Sequence, residues 1–234
     1  MTATTHRLPT REEWCDPEEE GGMSDIGVLA ITEAGLQLER FFAGREVYIG
    51  REQRLLHDPT DHRRFLRPDV MVVLGAPPGI REDWPVWREG RGPTWVLEVA
   101  SRFTAERDRE VKPLLYAALG TVELVLFDPQ GLFHVPPLQL LRRGDDGALH
   151  AVAPGSNGRF SSEVLGLELA AHDYRRDLHR YWRLSFYRPG EATPLPTTAE
   201  LLEELANHRA ELDESRAEIE RLRRTLRSFG VDEK

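Results

Sequence analysis

The chain has 234 residues, of which 40% are apolar, with a formal net charge of −9 and an isoelectric point of about 5.5. This length can bury one sizeable hydrophobic core and carry a smaller appendage. An acidic chain is not a general polyanion binder, so any contact with nucleic acid must come from a local basic patch. The single cysteine, Cys15, excludes an internal disulfide framework. Without a signal peptide or a long apolar run, we expect a cytoplasmic protein that has no contact with a membrane.

Hydrophobic periodicity and turn residues predict a series of elements along the chain. The first 24 residues are polar and are expected to form a flexible N-terminal arm. We predict, in order, a helix over 25–42, strands over 45–49, 69–74 and 94–100, a helix over 104–119, a strand over 122–128, and shorter strands over 138–143, 148–152 and around Phe160. This order indicates an α/β domain over 25–187 with a mixed central β-sheet flanked by helices.

The character of the sequence changes after residue 187. A proline-containing linker is predicted over 188–197, followed by a coiled-coil helix over 198–229 that has no Gly or Pro before Ser228. The seven-residue repeat consists of Leu205, Leu212, Ile219 and Leu226, with Leu201, His208, Ser215, Leu222 and Phe229 at the companion positions. A solvated helix that packs on its own domain is the alternative, but we favour a homo-oligomer that forms through this helix.

Two carboxylates occur where they are expensive to bury. Asp69 opens an apolar strand, and Glu98 stands in the middle of "TWVLEVA". A buried carboxylate needs a cation, a set of hydrogen bonds or a metal. If the two strands are neighbours, one hard cation could serve both side chains, and oxygen ligands favour Mg2+ (or Mn2+) over zinc.

Lys112 is the third candidate, because all but two of the 31 basic residues are arginines and the other lysine is the terminal Lys234. A compact ammonium whose pKa responds to its surroundings can orient an attacking water and stabilise charge in phosphodiester hydrolysis. We expect Asp69, Glu98 and Lys112 to share a pocket open to solvent. Pro113 disfavours helical geometry at Lys112, so the helix is expected to kink or restart there.

Each residue also has a structural explanation. Asp69 could cap a turn after Pro68, and Glu98 could pair with one of the many arginines. Lys112 could form an ordinary helical salt bridge with Asp108, four residues earlier. Taken singly, each explanation is as good as its functional rival.

The segments "RPDVMVV" and "WVLEVASRFTAERDREVKPLLYAALGTVELVLFDP" resemble the Uma-type (Uma two) family of putative restriction endonucleases. The resemblance implies a restriction-endonuclease-like fold of the PD-(D/E)xK type, with a divalent metal between an acidic pair. It assigns Asp69 and Glu98 as metal ligands and Lys112 as the catalytic lysine. Ser101 and Asp108 match further motif positions and are expected to support these residues.

The chain departs from the pattern at two points. Ala100 stands where the parent superfamily carries its strand lysine. A further acid on the first helix has no clear counterpart, although Glu33 or Glu39 could replace it.

Two hypotheses follow for the function. The first is a Mg2+-dependent endonuclease that hydrolyses DNA phosphodiester bonds. Arginines near the motif are its candidate phosphate contacts, namely Arg63, Arg64, Arg67, Arg102 and Arg107, although each could instead neutralise an acidic surface. The alternative is a catalytically inactive nuclease-fold protein that serves as an oligomerisation or partner-binding module.

Overall fold

The structure is a computed structural model that describes residues 9–10, 13–14, 23–176 and 179–228, without the side chains of residues 176, 226 and 227. The predicted arm over 1–24, with Cys15, lies almost wholly outside the described residues, and so does Phe229. The chain divides into two compact units, Met1–Leu195 and Pro196–Lys234. This division falls within the predicted linker.

In the part of the first unit that the structure describes there are four helices, of which the first is the longest. α1 covers Asp25–Phe41, and α2 (Val86–Glu89), α3 (Ala105–Glu110) and α4 (Lys112–Ala118) are short. Ser24 caps α1 by accepting a hydrogen bond from the backbone N–H of Gly27 at 3.2 Å, which satisfies one of the free donors of the first turn.

The strands of the first unit form three sheets in the described residues. In chain order they are β1 (Val47–Arg51), β2 (Leu55–Leu56), β3 (Phe65–Leu66), β4 (Val70–Leu74), β5 (Trp84–Pro85), β6 (Trp95–Val99), β7 (Glu123–Phe127), β8 (Leu138–Arg143), β9 (Leu149–Ala151), β10 (Phe160–Ser162), β11 (Leu167–Arg176) and β12 (His179–Tyr187). The central sheet has the order β1-β4-β6-β7-β8-β9, and smaller sheets have the orders β10-β11-β12 and β3-β2-β5.

The central sheet is mixed, as predicted. β6 and β7 are parallel, and the other neighbouring pairs of this sheet are antiparallel. Parallel neighbours need a crossover connection, and α3 and α4 supply it. The residues between β6 and β7 therefore lie on one face of the sheet.

Alternation along the central strands divides the core in two. Val70 and Val72 of β4 face one apolar cluster, which includes residues of α1 and the β10-β11-β12 sheet. Met71 and Val73 face the other cluster, which includes Leu115 and other residues of α4. Side chains of a strand point alternately to opposite faces, so successive residues of a central strand join different clusters.

The predicted strands closely match β1, β4, β6, β7, β8, β9 and β10, and the first predicted helix matches α1. The predicted helix over 104–119 is instead two helices, α3 and α4, separated at Val111. The long antiparallel hairpin of β11 and β12 was not predicted. No helix within the described residues has the length and the apolar character needed to cross a membrane.

The second unit contains α5, which covers Thr198–Ser228. It forms over the segment where the sequence predicts a coiled-coil helix. From residue 202 to residue 225 its side chains are exposed. The coiled-coil partner remains a prediction.

Candidate active site

Asp69 and Glu98 lie opposite each other on neighbouring strands. β4 and β6 are antiparallel, with Val70 paired to Leu97. Extending this register by one residue places Asp69 opposite Glu98 on the same face of the sheet. Directly opposite residues of an antiparallel pair have Cβ atoms about 5 Å apart. The predicted juxtaposition of the two acids therefore follows from strand pairing.

The backbone holds the Asp69 carboxylate in place. The N–H of Val99 donates a hydrogen bond to Asp69 Oδ2 at 2.6 Å, so the side chain reaches β6 and does not cap a turn after Pro68. The residue keeps part of its surface open to solvent. Burial of the carboxyl group nevertheless raises the pKa of Asp69 to about 7, because the ammonium of Lys112 and the Val99 hydrogen bond only partly offset the desolvation.

Glu98 is buried, and each of its carboxylate oxygens accepts a hydrogen bond from a side chain of α4. Lys112 Nζ donates to Glu98 Oε2 at 2.7 Å, and the Tyr116 hydroxyl donates to Oε1 at 2.5 Å. The same ammonium lies 2.9 Å from Asp108 Oδ1. The helical salt bridge that was the alternative explanation for Lys112 is thus present, but the ammonium also binds Glu98. No arginine takes the place of Lys112 beside Glu98 among the described contacts.

The helix break at Val111 brings the lysine into position. Val111 has φ −107° and ψ −50°, and α4 begins at Lys112 with Pro113 in its first turn. Proline is tolerated there because the first N–H groups of a helix have no intrahelical acceptor. The restart predicted from Pro113 is confirmed. Asp108, Lys112 and Tyr116 still follow one another at four-residue spacing on the face that meets β6.

Ser101 organises the turn between β6 and α3. Its Oγ accepts hydrogen bonds from the backbone N–H groups of Phe103 and Thr104, both at 3.2 Å. Its carbonyl accepts from the N–H of Ala105 at 3.2 Å. Ser101 therefore shapes the start of α3, whereas Asp108 touches Lys112 directly. Their supporting roles in a reaction remain predictions.

The expected solvent-open pocket is not found. Glu98 is 1% exposed and Lys112 is 4% exposed, while Asp69 is partly open. The reason is that α4 packs directly on the sheet, with Leu115 and Tyr116 fully buried beside the ion pairs. Of the three residues, Asp69 is the one with part of its surface exposed.

Tyr116 and His134 were not among the predicted site residues. The spacing of Tyr116 from Lys112 places the two side chains on one helix face, and this signal could have identified Tyr116. His134 follows β7 in a loop whose shape is set by Asp128, which accepts backbone hydrogen bonds from residues 130, 131, 133 and 134. No sequence pattern indicates that this loop reaches the site.

His134 is 2% exposed, and neither of its ring nitrogens makes a hydrogen bond of good geometry, although the backbone of Phe133 is a polar partner that acts on its pKa. Burial lowers the pKa of His134, and the nearby carboxylates of Asp108 and Asp128 offset part of this effect. Asp108 Oδ2 is also buried without a hydrogen bond. Buried polar atoms of this kind are uncommon, so the cluster around Lys112 keeps unused bonding capacity.

The acid sought on the first helix does not complete a metal site. Glu39 pairs with Arg51 at 3.1 Å, and Glu33 is partly exposed on α1. In the described part of the chain, no three His, Cys, Asp or Glu side chains are grouped so that they could hold a metal ion. The available donors are the two carboxylates of Asp69 and Glu98. This set fits Mg2+, which is commonly held by one or two carboxylates, water and substrate phosphate.

Arg63 and Arg107, two of the predicted DNA-contact arginines, donate hydrogen bonds to acceptors of the protein. Arg63 Nε donates to Asp61 Oδ1 at 2.9 Å, although the Arg63 side chain is 91% exposed. Arg107 donates to the carbonyl of Glu13 at 2.7 Å. These bonds agree with the alternative that arginines neutralise acidic or polar groups of the protein itself.

The other three arginines are exposed or partly exposed. The guanidinium of Arg67 lies 5.4 Å from the ring centre of Phe65, and that of Arg102 lies 5.1 Å from the ring centre of Phe103. Arg64 is partly exposed. Such contacts leave guanidinium groups at the surface, and contact with DNA remains a prediction for all five.

Comparison with known proteins identifies the class of protein. The family model Uma2, described as a putative restriction endonuclease, matches residues 25–172. The chain belongs to this family. Among solved structures, a putative nuclease belonging to DUF820 from Anabaena variabilis ATCC 29413 is similar, with 12% identity, a TM-score of 0.47 and coverage of 63% of this chain and 78% of that chain. No curated protein matches.

Proposed function

We propose that this protein is a metal-dependent endonuclease that hydrolyses DNA phosphodiester bonds. Asp69 and Glu98 are the ligands of Mg2+ (or Mn2+), and Lys112 assists the attacking water. The observation that carries the proposal is the position of Asp69 opposite Glu98 on neighbouring strands, with the Lys112 ammonium 2.7 Å from Glu98. Membership of a family described as putative restriction endonucleases supports the reaction class.

A bound Mg2+ would polarise the scissile phosphate and lower the pKa of a coordinated water. The protein contributes two carboxylates whose positions are fixed before the metal arrives. The Val99 N–H orients Asp69, and the Tyr116 hydroxyl orients Glu98. Each carboxylate oxygen can accept more than one bond, so these hydrogen bonds do not exhaust the donor set.

Lys112 is suited to the catalytic role by its size and its neighbours. The ammonium lies 2.7 Å from a Glu98 oxygen and 2.9 Å from an Asp108 oxygen, and in the proposed reaction it donates to a water or to a phosphate oxygen. The site around Lys112 is closed, with 4% of the residue exposed. An arginine there would have to fit a larger planar group into packed surroundings.

DNA is the proposed substrate, with backbone phosphates contacted by Arg63, Arg64, Arg67, Arg102 and Arg107. Contacts to phosphate position a protein on DNA without reading its sequence. The second part of the proposal is self-association through the helix α5.

The burial of the site favours a second candidate function. Glu98 and Lys112 are 1% and 4% exposed and bind each other, which is also what a purely structural ion pair does. The second candidate is therefore a catalytically inactive nuclease-fold protein that acts as an oligomerisation or partner-binding module.

Cleavage of supercoiled plasmid separates these candidates. We expect wild-type protein to nick plasmid with Mg2+ or Mn2+ and not with EDTA. Glu98→Gln removes the charge of a proposed ligand, and Lys112→Arg keeps a cation but changes its shape, so each should reduce the rate at least about 100-fold. Glu168→Gln removes a carboxylate from the β10-β11-β12 sheet that pairs with Arg159 at 3.1 Å, and it should leave the rate unchanged.

Calorimetric titration with Mn2+ provides the second readout. Binding by wild type and by Glu168→Gln, but not by Glu98→Gln, would support the metal site independently of turnover. A wild type that neither binds Mn2+ nor nicks plasmid would refute the endonuclease and leave the inactive module. Equal nicking by every variant would show that the activity comes from another source and would also refute the proposal.

A further inference from the structure

The helix α5 carries an exposed apolar stripe. Leu205, Leu212, Ile219 and Leu222 are 64%, 58%, 51% and 52% exposed. Their spacing follows a heptad repeat, in which Leu205, Leu212 and Ile219 occupy the a positions and Leu222 a d position. Such a stripe is the seam along which one helix packs on another.

The residues that flank the seam are sorted by charge. In the heptad, the g position precedes each a position and the e position follows each d position. The g positions are Glu204, Glu211 and Glu218, and the e positions after His208, Ser215 and Leu222 are Arg209, Arg216 and Arg223. All six side chains are exposed. One edge of the seam is therefore acidic and the other is basic.

This sorting determines how two copies of α5 can pair. In a parallel pair, each g residue faces the e residue of the next heptad on the other helix, so Glu204 of one copy meets Arg209 of the second copy. Glu211 meets Arg216 in the same way. In an antiparallel pair, g faces g and e faces e, which would place glutamate against glutamate and arginine against arginine. We infer that α5 forms a parallel, in-register coiled coil with a second copy of this chain.

The polar seam residues agree with this register. His208 and Ser215 occupy d positions. In register, each meets its own copy, so two polar layers form and the leucine layers stay apolar. A shift by one heptad would place each of them against a different d residue and would lose flanking charge pairs. Polar groups in a seam specify register at a cost in stability.

Ion pairs within α5 do not compete strongly with this arrangement. Arg216 lies 3.7 Å from Asp213, and Arg221 lies 3.1 Å from Glu218. Exposed pairs of this kind contribute little, and Asp213 and Arg221 occupy b and c positions outside the seam. Glu218 can interact with Arg221 and with Arg223 of the second copy together.

A parallel pair has a consequence for the rest of the chain. Each chain enters α5 at its N-terminal end, so both copies of the first unit are attached at the same end of the coiled coil. If the proposed nuclease function holds, two sites are then tethered to one assembly and can act on both strands of a duplex. This consequence rests on the proposed function, whereas the pairing itself rests only on self-association.

Disulfide cross-linking tests the orientation. The variant Cys15→Ser/Leu222→Cys has one cysteine, at a d position near the C-terminal end of α5. A disulfide requires Cα atoms within about 4.4–6.8 Å, which for two copies of residue 222 occurs only in the parallel, in-register pair. We expect a covalent dimer on mild oxidation. Sedimentation of the reduced protein is the control: a dimer that does not cross-link would refute the orientation, and a monomer at micromolar concentration in both this variant and wild type would refute self-association.

Charge reversal tests the contacts. Arg209→Glu/Arg216→Glu places like charges along the seam, and Arg221→Glu/Arg224→Glu makes the same change of charge on outward c and f positions. We expect the first variant to raise the dimer dissociation constant about tenfold or more, with little change in the second. Equal weakening in both would refute the seam pairing. Neither measurement depends on cleavage, so loss of the nuclease proposal would leave this inference standing.

Discussion

Two neighbouring strands each bury a glutamate, and the two side chains are neutralised in different ways. Glu123 at the start of β7 is 0% exposed. Its Oε1 lies 2.9 Å from both Nε and Nη2 of Arg142, and its carboxylate also accepts from the Ser162 hydroxyl and the N–H of Glu163. The carboxylate is therefore completely satisfied by a planar guanidinium, a hydroxyl and the backbone.

Glu98 on β6 has a different set of neighbours. It binds the Lys112 ammonium and the Tyr116 hydroxyl, and Asp108 beside it keeps a buried oxygen without a hydrogen bond. Asp69 brings another carboxylate to the same ammonium. Negative charge around Glu98 thus exceeds what Lys112 supplies. The comparison teaches that burial alone does not mark a candidate site: the buried contacts of Glu123 are complete, whereas the cluster around Glu98 contains buried polar atoms without a hydrogen bond.

The largest difference between the two glutamates is expected in the free energy of unfolding after each is replaced by glutamine. Glu123→Gln replaces a fully buried carboxylate that accepts from Arg142, Ser162 and Glu163, and it leaves the partly buried Arg142 with only the exposed Glu163 as an anionic partner. We therefore expect it to lower the free energy of unfolding by about 3 kcal/mol or more. Glu98→Gln removes one charge from a cluster with excess negative charge, and Lys112 keeps Asp108 as partner. Its cost should stay within about 1 kcal/mol. Urea denaturation of both variants measures the difference.

Equal losses in the two variants would contradict the comparison, because they would mean that Glu98 is as much a structural ion pair as Glu123. A large loss of unfolding free energy in Glu98→Gln, without one in Glu123→Gln, would mean that Glu98 is the structural ion pair of the two. Glu168→Gln provides a reference for a partly exposed ion pair, for which a loss of about 1 kcal/mol or less is expected.

A second difference lies in the response to pH. Burial raises the pKa of Asp69 to about 7 from an ordinary value of 3.8. The folded state therefore favours protonated Asp69, and the corresponding stability is lost as the pH rises through 7. At about 1.4 kcal/mol per pKa unit, reduced for the partial exposure of Asp69, we expect Asp69→Asn to be more stable than wild type by about 2 kcal/mol at pH 8.

The gap between Asp69→Asn and wild type should shrink by about 1 kcal/mol at pH 5.5, where wild-type Asp69 is mostly protonated. Thermal unfolding at the two pH values measures this change. Addition of Mn2+ at pH 8 should stabilise wild type and not Asp69→Asn, if Asp69 is a metal ligand. A gap that does not depend on pH would show that Asp69 is not the titrating group.

The sequence predicted much of the geometry of the candidate site because the signal was local. A carboxylate in an apolar strand and a rare lysine identified Glu98 and Lys112, and Pro113 identified the helix restart. The same local signal also occurs at Glu123 in "VELVLFD", which was not singled out. What distinguishes Glu123 is Arg142, its direct partner across β7 and β8. That pairing depends on strand register and is not visible in the local sequence.

The remaining features depend on packing that local patterns do not encode. The long hairpin of β11 and β12 was missed because its strands contain charged residues, such as Arg175 opposite Arg180 and Asp173 in an ion pair with Arg180, which hide the alternation typical of strands. The closure of the site was missed because it results from α4 lying on the sheet. His134 reaches the site through a loop that Asp128 shapes with four backbone hydrogen bonds.

His134 offers the smallest and most specific test of the unsatisfied cluster. Both ring nitrogens are buried without a hydrogen bond of good geometry, so the backbone contact with Phe133 compensates their desolvation only weakly. His134→Leu removes these polar atoms at similar volume, and we expect it to raise the free energy of unfolding by about 1 kcal/mol at pH 7.5. No such gain is expected at Glu123, where every polar contact is made.

The pH dependence of this variant distinguishes its cause. Burial lowers the pKa of His134 below its ordinary 6.5, despite the opposing charges of Asp108 and Asp128 and with Arg109 also lowering it. Below about pH 6.5 the unfolded chain binds a proton at His134 more readily than the folded chain does. The free energy of unfolding therefore decreases as the pH falls below this value. Wild type should therefore lose stability relative to His134→Leu between pH 7.5 and pH 5.5 in urea denaturation. A variant that is less stable than wild type at both pH values would mean that the ring nitrogens make a contact the fold requires, and the cluster around Glu98 would then be as completely satisfied as the one around Glu123.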